Sequence, residues 1–194
     1  LASNADVKIS GEAGSSFGIS LGAGDFNADG KTDLAAGAYA YATFGFTGRA
    51  YIFYSGSIIT EAATGADIII TGEATFSLFG YSLVSGDWNA DGKTDLAVGA
   101  HGYSISTGRV YIFYNGSIIT ENASGADIII QGESSSNSFG SKLISGDFNG
   151  DGKIDLAVGA NQYSTNTGRV YVFYNDGSIP TTAATADLIL QGEA

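Results

Sequence analysis

The chain has 194 residues, of which 44% are hydrophobic, and it carries a formal net charge of −12 with no cysteine. This apolar fraction suits one folded domain and argues against a disordered chain, and the length is too short for two large domains. The acidic charge argues against a nucleic-acid partner, because phosphate binding needs clusters of basic residues. The apolar runs are far shorter than the ~18 residues that span a bilayer, so we expect no membrane-spanning segment.

The chain is dominated by an internal repeat. A nine-residue acidic loop occurs three times, and its copies begin 62 and 60 residues apart. An aromatic–glycine pair precedes each loop, and a run of small residues, a Gly-Arg pair and an alternating aromatic strand follow it. This repetition predicts one domain made of an extra N-terminal strand (1–12), repeat 1 (13–73), repeat 2 (74–133) and repeat 3 (134–194).

Each repeat is predicted to contain four short strands, described here for repeat 2. Strand one (81–85) leads into the acidic loop, and strand two (96–100) has small residues that suit a crowded position near a central channel. Strand three (110–114) alternates β-branched and aromatic residues, and strand four begins at Asp127. No window shows helical periodicity. We therefore expect an all-β fold whose repeats are four-stranded antiparallel β-propeller blades; a β-helix is the alternative, but its repeats are much shorter.

Strand four occurs four times, whereas the other strands occur three times. Its copies begin at Asp6, Asp67, Asp127 and Asp187, and each ends in Gly-Glu. Three blades are too few to close a ring, so open blade faces are expected to drive head-to-tail self-association into a two-chain ring or a filament. The first strand-four copy could then add to a neighbouring chain's sheet. The other possibility is that the chain was cut from a longer array.

The acidic loop has the donor pattern of a calcium site. Positions 1, 3, 5 and 9 offer side-chain oxygens, and the lysine at position 7 can offer its backbone carbonyl. Calcium takes six to eight oxygen ligands, whereas magnesium keeps several waters and zinc prefers His or Cys. A metal-free Asp/Asn/Gly turn is the alternative, but three copies with the same spacing favour the metal site.

Three calcium ions are expected, one in each repeat, and the loops are not EF-hands because position 12 lies inside a strand and is not acidic. The predicted ligands are Asp25, Asn27, Asp29, Lys31 and Asp33 in repeat 1, Asp87, Asn89, Asp91, Lys93 and Asp95 in repeat 2, and Asp147, Asn149, Asp151, Lys153 and Asp155 in repeat 3.

The combination of Phe79-Gly80, the Asp87–Asp95 loop, Leu-Ala-Val-Gly-Ala and Gly-Arg-Val-Tyr resembles the FG-GAP repeats of the integrin alpha-subunit propeller and its bacterial relatives. The resemblance covers nearly the whole chain. It implies a β-propeller with calcium in the hairpin between strands one and two, and an extracellular, non-catalytic role in adhesion or binding. The chain departs from the family where the proline after Gly-Ala is Tyr39, His101 or Asn161, and it has three repeats where the integrin propeller has seven blades.

No other constellation of residues carries catalytic chemistry, so the chain is predicted not to be an enzyme. Paired carboxylates occur only in the acidic loops, where a metal ion would occupy them. The arginines recur in every repeat, which favours a structural role over ligand binding. In that role Arg49, Arg109 and Arg169 would bind backbone carbonyls or pair with Glu12, Glu73 and Glu133. The expected core includes Phe17, Phe79 and Phe139.

Two classes of function fit these features. One is a secreted or cell-surface binding module that holds a protein or glycan on loops of one propeller face. The other is a structural subunit of an extracellular assembly. The repeats differ most at 39–47, 102–107 and 162–167, so a ligand is expected there.

Overall fold

The structure is a computed structural model that describes residues 5–42 and 45–193. Its described part is all-β apart from short helical turns, which confirms the all-β part of the predicted fold class. The strands are β1 (Ile9–Ser10), β2 (Leu21–Gly24), β3 (Asp33–Ala38), β4 (Arg49–Phe53), β5 (Glu61–Ala62), β6 (Ile68–Thr71), β7 (Ser82–Gly86), β8 (Asp95–Ala100), β9 (Arg109–Phe113), β10 (Glu121–Asn122), β11 (Ile128–Gln131), β12 (Phe139–Gly146), β13 (Asp155–Ala160), β14 (Arg169–Phe173) and β15 (Leu188–Gln191).

The helical elements are single turns. They are α1 (Tyr103–Ser106), α2 (Tyr163–Asn166) and 3-10 turns at Ala63–Gly65, Ala123–Gly125 and Ala183–Thr185. The sequence pattern predicts no helix, and α1 and α2 each contain residues with left-handed backbone angles, so they are tight turns rather than regular helices. Within the described residues, no helix is long and apolar enough to cross a membrane.

Each repeat forms a four-stranded antiparallel sheet whose strands lie side by side in chain order. The three sheets are β2-β3-β4-β6, β7-β8-β9-β11 and β12-β13-β14-β15. The predicted strands are therefore present, with ends that differ by a residue or two. Strand one of repeat 3 is longer than its counterparts and has a register shift between Phe139 and Lys142. The sheets, as described, do not close into a ring.

Short parallel pairings link consecutive units of the chain. β10 of repeat 2 pairs with β6 of repeat 1, and Thr182 of repeat 3 bridges Gln131 of repeat 2. In the same way β1 pairs with β5 of repeat 1. The N-terminal segment thus lies where strand four of a preceding repeat would lie. In the structure it pairs with β5 of its own chain, and its addition to a neighbouring chain's sheet stays a prediction.

The core is built from strands two and three. The small residues of strand two are buried, as predicted, and the aromatic residues of strand three pack against the Phe-Gly pairs. Phe79 lies edge-on to Tyr111 with 5.4 Å between ring centroids, and Phe139 lies edge-on to Tyr171 at 5.3 Å. Phe79 and Phe139 are buried, which confirms their predicted role, whereas Phe17 is half-buried.

Candidate metal loops and loop face

The predicted metal ligands lie on the hairpins that join strand one to strand two, at one end of each sheet. In repeat 1 the backbone N–H of Asp29 donates to Asp25 Oδ1 at 3.0 Å and to Asn27 Oδ1 at 2.9 Å. The N–H of Gly30 donates to Asp25 Oδ2 at 2.8 Å, and Gly30 has a φ of 82°, a left-handed angle that glycine adopts without strain. The loops of repeats 2 and 3 repeat these bonds. Short side chains therefore shape the loop by bonding to its own amides.

The aspartate at position 9 has a second, structural role that the sequence pattern does not reveal. Asp95 is the buried first residue of β8, and its Oδ2 accepts the N–H of Trp88 at 2.9 Å. Its Oδ1 accepts the N–H of Asn115, just beyond β9, also at 2.9 Å. Burial raises the pKa of Asp95 to about 6, although these two bonds oppose the shift. Asp33 and Asp155 make the same pair of bonds, so position 9 fastens the loop to the end of strand three.

All donor atoms of the acidic loops are oxygens, which is the ligand type that calcium prefers. Asp25 Oδ1 and Asn27 Oδ1 accept from the same N–H, so the oxygens of positions 1 and 3 converge on one side of the loop. Among the described residues, however, no three His, Asp or Glu side chains are gathered closely enough to hold a metal ion. The acidic oxygens are bonded to amides instead. Calcium binding therefore stays a prediction.

The loops of repeats 1 and 2 are also held by the repeat that follows. Asn115 Nδ2 of repeat 2 donates to the carbonyl of Asp25 at 2.9 Å, and Asn175 Nδ2 of repeat 3 donates to the carbonyl of Asp87 at 3.0 Å. The equivalent residue in repeat 1 is Ser55, whose side chain is shorter. Packing between repeats and loop conformation are therefore coupled.

The arginines join each repeat to the unit before it, as predicted. Arg49 Nη1 lies 2.8 Å from Glu12 Oε1, and Tyr51 donates its hydroxyl to the same oxygen at 2.7 Å. Arg109 pairs with Glu73, and Arg169 pairs with Glu133 at 2.9 Å. Burial raises the pKa of Tyr171 to about 12, which keeps its hydroxyl protonated. The guanidinium groups also stack on a tyrosine of the loop before strand three, at 3.5 Å for Tyr41, 3.8 Å for Tyr103 and 3.6 Å for Tyr163.

The loops at the opposite end of the strands carry exposed apolar residues. Because the strands alternate in direction, the loops after strands two and four lie together, away from the metal loops. Phe46, Phe76 and Ile105 line an open cleft of about 800 Å³ there, and Ile105 is 82% exposed. We call these three residues the loop patch. The predicted ligand segment 39–47 contributes Phe46, while its residues 43 and 44 lie outside the described part.

The loop patch also has an unusual backbone. The φ angles are 41° at Phe46, 59° at Phe76 and 57° at Ile105. Left-handed angles are uncommon for residues with a side chain and are costly for a β-branched one. The fold therefore holds large apolar side chains outward in a strained conformation.

The sequence profile of the FG-GAP repeat matches residues 17–53, 79–113 and 139–173, which together make up more than half of the chain. The chain belongs to the FG-GAP repeat family. Integrin alpha-PS2 of Drosophila melanogaster is 33% identical to this FG-GAP chain over 187 residues, which are 91% of the chain and 13% of that integrin. Integrin alpha-M of Mus musculus is 37% identical over 156 residues, which are 77% of the chain and 13% of the integrin.

An enzyme carries a similar stretch. Phosphatidylinositol-glycan-specific phospholipase D of Bos taurus is 39% identical over 115 residues, which are 51% of this chain and 13% of the phospholipase. The prediction that the chain is not an enzyme is therefore wrong, because FG-GAP repeats occur within an enzyme. The physical reason is that repeated strand residues fix a fold and not the chemistry of the protein that carries it. The chain spans only 13% of the length of each of these three relatives.

Proposed function

We propose that the three sheets are β-propeller blades and that the chain is an extracellular module that binds calcium at one end of its strands and a protein or glycan at the other. Consecutive four-stranded antiparallel sheets in chain order support the blades. The resemblance to integrin alpha propellers supports the location and the role in adhesion or binding.

The calcium proposal rests on the oxygen-only donor set that recurs in three loops. In repeat 2 the ion would be held by the side chains of Asp87, Asn89, Asp91 and Asp95 and by the carbonyl of Lys93. Bound calcium supplies positive charge that offsets the repulsion among these carboxylates. The role of the protein is to bring the oxygens onto one short hairpin.

The ion count tests this proposal directly. Purified protein dialysed against calcium is expected to contain three ions per chain by elemental analysis, and Asp91→Ala is expected to contain two. Asp176→Ala changes an exposed aspartate outside the loops and serves as the control, with three ions expected. A wild-type chain without calcium would refute the assignment.

The ligand proposal is carried by one observation, the strained and exposed loop patch. Monomeric proteins rarely hold large apolar side chains in solvent at a cost in backbone strain unless a partner covers them. Phe46 and Ile105 of the patch lie on loops whose sequences differ most between repeats, whereas the strands beneath them are nearly identical. Scaffold strands with divergent loops are the usual arrangement of a binding module.

The test compares variants of the patch on a glycan array and on surfaces coated with extracellular-matrix proteins. Phe76→Ser combined with Ile105→Ser is expected to abolish any binding that the wild type shows. Ile119→Ser is the control, because Ile119 is 58% exposed, like Phe76, but lies at the other end of the strands. Binding that survives the double substitution would place the ligand elsewhere.

A further inference from the structure

One asparagine joins the acidic loops of repeats 1 and 2. The backbone N–H of Asn115 donates to Oδ1 of Asp95, the position 9 residue of the repeat 2 loop, at 2.9 Å. Its side-chain Nδ2 donates to the carbonyl of Asp25, the position 1 residue of the repeat 1 loop, at 2.9 Å, and to the carbonyl of Thr94 at 3.2 Å. Asn115 therefore bonds to one predicted calcium ligand of each loop, to Asp25 through its backbone carbonyl and to Asp95 through its carboxylate.

The same link recurs between the acidic loops of repeats 2 and 3. The N–H of Asn175 donates to Oδ1 of Asp155 at 2.9 Å, and its Nδ2 donates to the carbonyl of Asp87 at 3.0 Å. Asn175 and Asp155 are both buried. Because a buried polar group that loses its partner destabilises the fold, each link is a fixed part of the structure. The three loops are thus joined in series.

A packing contact accompanies each link. The residue before position 1 is a glycine in the loops of repeats 1 and 2. A Cβ on Gly24 would lie 2.3 Å from Cγ2 of Thr94, which is position 8 of the repeat 2 loop. A Cβ on Gly86 would lie 3.1 Å from Cγ2 of Ile154, which is position 8 of the repeat 3 loop. Position 8 of one loop therefore packs against the start of the loop before it, so a shift of either loop affects the other.

Repeat 1 shows that the backbone bond and the side-chain bonds of this asparagine position are separable. Its residue there is Ser55, whose N–H donates to Oδ1 of Asp33 at 2.7 Å, as the asparagines do in their own repeats. A serine lacks the carboxamide that reaches the preceding loop. Asn115→Ser is therefore expected to keep the bond to Asp95 and to remove the bond to Asp25.

We propose that Asn115 and Asn175 couple the calcium sites, so that occupation of one acidic loop raises the calcium affinity of the loop before it. When Asp95 serves as a ligand, its carboxylate is fixed, and so is the backbone of Asn115 that donates to it. Asn115 then holds the carbonyl of Asp25 in place, so the loop of repeat 1 needs less ordering to bind its own ion. Coupling between sites is reciprocal, so the loop of repeat 1 raises the affinity of the repeat 2 loop by the same factor. This inference rests on the calcium proposal.

The positioning role of Asn115 is tested in a chain with one intact site. Asp91→Ala and Asp151→Ala together leave only the acidic loop of repeat 1, and calorimetry then gives the calcium affinity of that loop. Asn115→Ser in this background is expected to lower the affinity about three- to tenfold, which is the free energy of one hydrogen bond expressed as a ratio of dissociation constants. An unchanged affinity would overturn the proposal.

Asn122→Ala is the matched control in the same background. Asn122 Nδ2 also donates from repeat 2 to a carbonyl of repeat 1, that of Gly72 at 3.2 Å, but at the end of the strands away from the acidic loops. Repeat 1 has alanine at this position, just as it has serine at the position of Asn115. The calcium affinity of Asn122→Ala is expected to stay unchanged. An equal fall in both variants would show that general packing between the repeats sets the affinity, and it would overturn the role of Asn115.

The coupling itself is measured with Trp88, the single tryptophan of the chain. Trp88 is the buried position 2 residue of the repeat 2 loop and donates its N–H to Asp95, so its fluorescence is expected to report calcium in that loop. Asp29→Ala disables the loop of repeat 1 and is expected to lower the affinity that Trp88 reports by about threefold or more. In the Asn115→Ser background, Asp29→Ala should leave that affinity unchanged. A fall of equal size in both backgrounds, or no fall in either, would overturn the coupling.

A calcium-free measurement separates this inference from the calcium proposal. In chelated protein, the NMR order parameters of the backbone amides at 26–31 are expected to fall in Asn115→Ser, while those at 148–153 stay the same. Asn175→Ser is the second variant, and it should lower the order parameters at 88–93 instead. If the wild type binds no calcium, the calcium proposal fails, and the order parameters still decide whether the asparagines hold the loops. Loop amides as rigid in both variants as in the wild type would overturn the link.

Discussion

His101, the single histidine, shows how one residue adapts to its position in the repeat. It follows strand two, where the other repeats have Tyr39 and Asn161. Its ring lies 4.3 Å from that of Tyr81, and its buried Nδ1 has no hydrogen-bond partner in the described structure. Burial, with a smaller contribution from Lys142, holds the pKa of His101 below its usual value.

This lowered pKa predicts a loss of stability in mild acid. The unfolded chain takes up the proton first, near pH 6.5, so the contribution of His101 is present above that pH and is lost as the pH falls below it. Between pH 7.5 and pH 5.5, the free energy of unfolding measured in urea should fall more for the wild type than for His101→Asn, which carries the residue of repeat 3. An equal fall in the free energy of unfolding for the two proteins would contradict the lowered pKa of His101.

The buried aspartate at position 9 is predicted to matter for folding even without calcium. Asp95→Ala leaves two backbone N–H groups without acceptors, at a cost of about 1–3 kcal/mol each. Asp91 is exposed in the loop, and Asp91→Ala removes a turn bond that water can replace. In the presence of a chelator, Asp95→Ala should therefore unfold at a clearly lower urea concentration than Asp91→Ala. If both variants unfold at the same urea concentration, the aspartate at position 9 has no special structural role.

At the scale of the element, the Gly-Arg turn before strand three is where one repeat meets the next. Gly108 and Gly168 have similar left-handed φ angles of 81° and 77°. The backbone of Phe139 lies against Gly108, whereas no residue of the described chain lies as close to Gly168.

This pair of glycines provides a matched prediction. Alanine at either position has the same left-handed strain, so the difference between the variants reports the contact between repeats. Gly108→Ala is expected to be less stable than Gly168→Ala by about 1–3 kcal/mol, because the added methyl group forces repeats 2 and 3 apart. Chemical denaturation of the two variants measures the difference, and a difference near zero would show that this junction is not tight.

At the scale of the whole molecule, stability is expected to depend on calcium. Each site adds about 2.7 kcal/mol at ~100-fold excess of calcium over its dissociation constant if the unfolded chain does not bind. Three sites should raise the melting temperature by about 15 °C or more relative to chelated protein. Magnesium at the same concentration is the control, and it should have a much smaller effect because it dehydrates reluctantly. An unchanged melting temperature would contradict the calcium proposal.

The sequence by itself determined the all-β class, the four strands of each repeat and the position of the acidic loops. It could do so because strand alternation, turn residues and loop spacing are local patterns, and three copies repeat the same pattern. Repetition gave the Arg–Glu pairs as one structural role for the arginines, beside bonds to backbone carbonyls, and the structure decided for the pairs.

Only the tertiary structure decided which faces are covered. Leu21 and Leu83 occupy the same place in their repeats, yet one is exposed and the other buried, because burial depends on the neighbouring repeat and not on the residue. The same reason explains why the N-terminal strand folds onto its own chain and why Asp95 is committed to backbone bonds. These contacts join residues that are far apart in sequence, and no local pattern encodes them.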